Sequence, residues 1–140
     1  MHAVEIDPSL KDLQDRHKDT AVEQLGIEFT EIGAASLSAR MPVDRRTVQP
    51  YGILHGGASV VLAETLGSCA ASLCLDSETQ YCVGLDINAN HVRAARTGFV
   101  TGTATAVHIG RTTHVWAIEI RNDEGKMVCV SRITMSILSR

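Results

Sequence analysis

Residues 55–75, HGGASVVLAETLGSCAASLCL, constrain what this chain can fold into more than any other stretch. Their length, their many Ala and Leu residues and the lack of Pro favour a helix. Apolar or small side chains cover nearly every face of it. A helix of that kind has to be buried on most sides. A chain of 140 residues has room for one domain (1–140) and one core. The rest of the sequence must therefore supply a wrapping layer.

That layer reads as strand. Residues 81–93, 98–109, 112–121 and 126–138 are rich in Val, Ile, Thr and Ala, with Gly98, Gly110 and Asn122-Asp123-Glu124-Gly125 as separators. Upstream, 27–32 and 35–41 form a hairpin pattern about Gly33-Ala34, and Pro42 ends it. Residues 8–25 have a loose amphipathic spacing that predicts one helix, and 43–54, with Pro50 and Gly52, predict a loop. Strands that follow one another through tight turns pair antiparallel. The expected fold is α+β, a long central helix on the concave face of a curved antiparallel sheet.

Glu64 is the anomaly in the apolar helix. An unpaired buried carboxylate is costly, so it either faces an opening on a narrow solvent stripe or is held for chemistry. Ser68, one turn on, shares its face and is expected to set a hydroxyl beside it. His55-Gly56-Gly57 opens the same helix. Glycines there leave backbone N–H groups unobstructed, a ready site for developing negative charge. Gln49, just upstream, adds a further donor.

Spacing then limits how these groups can cooperate. His55 and Glu64 are nine residues apart, which on a helix is about 13 Å along the axis and on opposite faces. Both can serve one carbonyl only if His55 comes from one subunit and Glu64 from another. A homodimer with two equivalent sites follows.

The segment QPYGILHGGASVVLAE, from Gln49 to Glu64, followed by GLDINANHVR, from Gly84 to Arg93, resembles the hotdog-fold acyl-CoA thioesterases. Within them it is most similar to the subgroup holding 4-hydroxybenzoyl-CoA thioesterase of the Glu-on-helix type. That subgroup also includes 1,4-dihydroxy-2-naphthoyl-CoA thioesterase and the proofreading thioesterase of enterobactin synthesis. The resemblance runs from about residue 22 to the C-terminus. It implies a hotdog fold and cofactor-free thioester hydrolysis. Glu64 would act as nucleophile or general base, and Gln49 and His55 would contact the thioester. The Gly56 N–H would polarise the carbonyl, and Ser68 would position water or substrate. It also implies dimers, often paired into tetramers, with sites across the interface, and an aromatic acyl group ahead of a medium fatty one.

With an acyl-CoA or an acyl carrier protein thioester as substrate, the same resemblance assigns the pantetheine and nucleotide arms of coenzyme A to two segments. One spans Val83, Gly84, Asn90, His91, Val92 and Arg93; the other is His108, Ile109, Gly110, Arg111 and Thr112. His91 and Arg93, two apart on a strand, share a face, and the planar fork of Arg suits phosphate. A hydratase or dehydratase on the same fold, and a non-catalytic acyl-CoA-binding protein, are the alternatives.

Composition narrows the rest. A net charge of -3 argues against nucleic acid as partner. No uninterrupted apolar segment stands out as a membrane span, and the charged first residues do not resemble a signal peptide. The expectation is a cytoplasmic protein without membrane contact. The cysteines Cys69, Cys74, Cys82 and Cys129 show no paired spacing and read as reduced. The histidines show no metal motif.

Overall fold

The computed structural model describes residues 8–140. Helix α1 (Pro8–Asp15) and the short α2 (Ala21–Gln24) precede strands β1 (Glu28–Ile32) and β2 (Ser36–Pro42). Helix α3 (Gly56–Leu73) follows, then β3 (Gln80–His91), β4 (Phe99–Ile109), β5 (Thr113–Asn122) and β6 (Met127–Ser139). The six strands form one antiparallel sheet in the order β1-β2-β4-β5-β6-β3. This is the expected α+β hotdog architecture.

The core lies between α3 and the sheet. Leu62, Ala63, Leu66 and Ala71 of the helix are fully enclosed, as are Ala39, Val100, Ala104, Ile118, Ile120 and Ile133 of the strands. Small residues let the strands approach α3 closely. Contrary to the expectation that no segment has the apolar length of a membrane span, α3 is long and apolar enough to cross one by length and composition. Its packing against β2, β3, β4, β5 and β6 accounts for that apolarity.

Two expectations need correction. Residues 8–25 are not one helix, because the chain turns between α1 and α2, where Asp19 takes a positive φ of 60°. Thr20 and Glu23 stabilise the break: Thr20 Oγ1 donates to the His17 carbonyl at 2.6 Å, and the Asp19 N–H donates to Glu23 Oε2 at 2.7 Å. The last four strands are also not a simple succession. β3 pairs with β6 rather than β4, and β4 pairs with β2. The cause is α3, which carries the chain across the sheet so that β3 enters at the far edge.

That edge is exposed. No residue of β3 is buried, and Tyr81, Val83 and Leu85 stand 39%, 43% and 68% accessible. A long, apolar, unpaired edge strand invites pairing with another chain.

Candidate active site

Helix α3 begins where the loop 43–54 folds back on itself. Val48 and Leu54 form an isolated bridge, the Gln49 N–H donates to the Ile53 carbonyl at 2.9 Å, and the His55 N–H donates to the Thr47 carbonyl at 2.8 Å. These bonds fix Gln49 beside the helix start. The Gln49 Oε1 accepts from the Tyr51 N–H, which leaves its amide NH2 as the outward-facing donor.

His55 is the N-cap. Its Nδ1 accepts from the Gly57 N–H at 2.8 Å, so in the neutral ring the proton sits on Nε2. The first N–H groups of a helix lack intrahelical acceptors. With Gly57 satisfied by the cap, the Gly56 N–H is left without an acceptor among the described residues. The His91 ring closes over Gly56: a Cβ there would lie 2.9 Å from His91 Nε2, so the ring would have to shift to admit one. His91, Val92 and Arg93 thus join Gln49 and Gly56 around one cleft of ≈ 410 Å³. Arg93 is braced by donating Nε to the Met127 carbonyl at 3.3 Å.

Glu64 lies elsewhere. Its half-buried carboxylate packs against β3, where a Cβ on Gly84 would sit 3.4 Å from Oε1. The register of β3 shifts between Gly84 and Asp86, which bends the strand at that contact. Among the described residues Glu64 has no hydrogen bond or ion pair. Ser68, also half-buried, does not supply one: its hydroxyl donates toward Met135 Sδ at 3.9 Å. The expected Glu64–Ser68 pairing is therefore absent. The hydroxyl is turned toward a Met sulfur of β6, a weak acceptor, and Ser68 lines a separate cavity with Leu13, His17 and Cys82.

The coenzyme segments divide the same way. Asn90 stands beside His91, exposed, and Val83 is exposed next to Gly84. The register runs Gly84↔Met135, Met135↔His114, His114↔Ile109, so the turn of His108, Ile109, Gly110, Arg111 and Thr112 lies on the Gly84 row. His91 is seven residues further along β3, about 23 Å away. The turn is closed by the Gly110 N–H donating to the Thr113 carbonyl at 2.9 Å. Below it, buried His114 accepts from Trp116 Nε1 at 3.4 Å. Burial holds its pKa below the usual histidine value, and the nearby charge of His108 adds to the effect.

One chain thus carries two separate groups of the predicted residues: Gln49, Gly56, His91 and Arg93 around one cleft, and Glu64 beside Gly84, on whose row the 108–112 turn lies. Sequence reasoning placed His91 with the phosphates and missed its contact with Gly56, because strand order was needed to bring β3 over the start of α3. Among the described residues no three His, Cys, Asp or Glu side chains gather in a way that could hold a metal ion.

Residues 51–129 match the family model described as the thioesterase superfamily. The 1,4-dihydroxy-2-naphthoyl-CoA hydrolase of Escherichia coli is 55% identical over 114 residues, covering 81% of this chain and 83% of that protein. The proofreading thioesterase EntH of Cronobacter turicensis is 47% identical over 119 residues, covering 85% of this chain and 86% of its own. The crystal structure of a glutamine-to-alanine mutant of thioesterase PA1618 from Pseudomonas aeruginosa superposes with a TM-score of 0.93 at 51% identity. That match covers 97% of this chain and 98% of the other. The chain belongs to the thioesterase superfamily and is a thioester hydrolase of the hotdog fold.

Proposed function

We propose that the protein hydrolyses acyl-CoA thioesters to free acid and CoA at two equivalent sites, each shared between the subunits of a homodimer. The observation that carries this reading is the separation of the two groups of residues along one helix and one edge strand. Gly56 sits under His91, the last residue of the free β3 edge, and Glu64 against Gly84, seven residues earlier on that strand. An antiparallel two-fold pairing of β3 centred near Ile87 and Asn88 would set Gly84 of one subunit opposite the partner's His91. It would thereby bring Glu64 toward the partner's Gly56. Two-fold symmetry completes both sites at once.

In such a site the thioester oxygen accepts from the Gly56 N–H, with the Gln49 amide as a second donor. As nucleophile, Glu64 adds to the carbonyl carbon and the C–S bond breaks. CoA leaves as thiolate and takes up a proton, and water then cleaves the acyl-enzyme anhydride. As general base, Glu64 removes a proton from water, hydroxide adds to the same carbon, and the proton passes to the departing sulfur. Arg93 and Arg111 are suited to the phosphates of CoA. The identity of the relatives supports an aromatic acyl group.

A thiol-release assay across aryl-, fatty acyl- and carrier-protein thioesters tests the reading. Glu64→Ala should lower turnover on the best substrate at least about a hundredfold, the scale at which loss of one stabilising group is felt. A folded Glu64→Ala protein with full activity would refute the assignment.

A further inference from the structure

We infer that His17 Nε2, in the wall of the cavity lined by Ser68, Cys69 and Cys82, accepts a hydrogen bond from a ring hydroxyl of an aromatic acyl group. This rests on the proposed placement of the thioester carbonyl near Glu64.

The cavity measures ≈ 310 Å³. Ser68, Cys69 and Ser72 of α3 form its floor, Cys82 of β3 one wall, and Leu13 and His17 the other. Its floor starts at Ser68, four residues past Glu64 and so about 6 Å along the helix axis. An acyl group whose carbonyl meets Glu64 has its far end at that distance. A cavity of about 150 Å³ accommodates one benzene ring, so this space suits a bicyclic aryl group. The sulfurs of Cys69 and Cys82 favour aromatic contact.

The histidine is held with an acceptor pointing inward. Its Nδ1 lies 2.8 Å from the Leu13 carbonyl oxygen, which can only accept, so Nδ1 carries the proton. Nε2 is left as a lone pair. Among the described residues its hydrogen-bond partner is Cys69 Sγ at 3.6 Å, a weak donor that a hydroxyl outcompetes. The Phe29 ring, 5.1 Å away between centroids, fixes the imidazole plane. Burial pushes the Cys69 thiol up to about 12, so the sulfur stays protonated and gives the cavity no anion. Arg16 at the rim disfavours an ammonium-bearing acyl group.

The test compares hydroxylated and unsubstituted naphthoyl-CoA as substrates of the native protein, His17→Phe and His17→Gln. The native protein should prefer the hydroxylated ester by about 10- to 100-fold in kcat/KM, mostly through KM, since the hydroxyl is remote from the reacting carbon. His17→Phe, which keeps the ring but not the lone pair, should bring that ratio close to one. His17→Gln, which restores an acceptor, should recover part of it. A ratio unchanged in folded His17→Phe, or absent in the native protein, overturns the proposal. Affinities of the matching non-hydrolysable CoA thioethers for Glu64→Ala separate the two readings. A His17-dependent preference in binding upholds the His17 contact even if Glu64 proves dispensable for turnover. Its absence there overturns the contact whatever Glu64 does.

Discussion

At the scale of single residues, the proposed chemistry rests on Glu64 and Gly56. Glu64 stood out because a carboxylate in an apolar helix demands a reason. Gly56 stood out because its position frees an N–H. The structure sharpened that second reading by assigning the Gly57 N–H to the His55 cap, so one donor, not two, remains. Ser68 misled because helical spacing fixes which face a side chain shares but not the partner it finds. Proline at the first helical position is tolerated, and the extended backbone of His55, with ψ 130°, suits a following proline. Gly56→Pro should therefore keep the helix, lose the N–H and lower kcat by about 10²–10³. Gly56→Ala crowds His91 in the same way but keeps the donor, and steady-state kinetics should show it markedly more active than the proline variant.

At the scale of elements, α3 was legible because its composition permits little else, and the hairpin β1–β2 because its breakers are local. The break between α1 and α2 was not, since it depends on Thr20 and Glu23 bonding back to the turn. That break sets His17 beside Cys69, so the second cavity had no sequence signature. Strand order was hidden for a different reason. Adjacency is decided by where α3 returns the chain, and β3 reads locally like any strand. Within β5, His114 makes a testable contribution. Its folded pKa lies below the ordinary value near 6.5, so between the two values the unfolded chain binds the extra proton. Stability then rises with pH across that window and falls as pH drops below about 6.5. Urea midpoints should decline on acidification over that range, and His114→Gln should flatten the decline.

At the scale of the whole molecule, two features of one chain stand out: an exposed edge strand, and the distance between Glu64 and the cleft at Gly56. One event, pairing of β3 with its two-fold copy, would resolve both. Leu85→Lys sets a charged side chain in the middle of the edge that would have to pair, and lysine on an edge strand opposes such pairing. Sedimentation should show a shift toward monomer, with activity falling in step with the dimer fraction. The most direct measurement mixes two inactive proteins, Glu64→Ala and Gly56→Pro, after separating and reassociating their subunits. If each site takes Glu64 from one chain and Gly56 from the other, half of the randomly formed dimers hold one intact site. Activity should then return to about a quarter of the native level. If the mixture stays inactive while mixed dimers are demonstrably present, the site lies within one chain and the account is wrong.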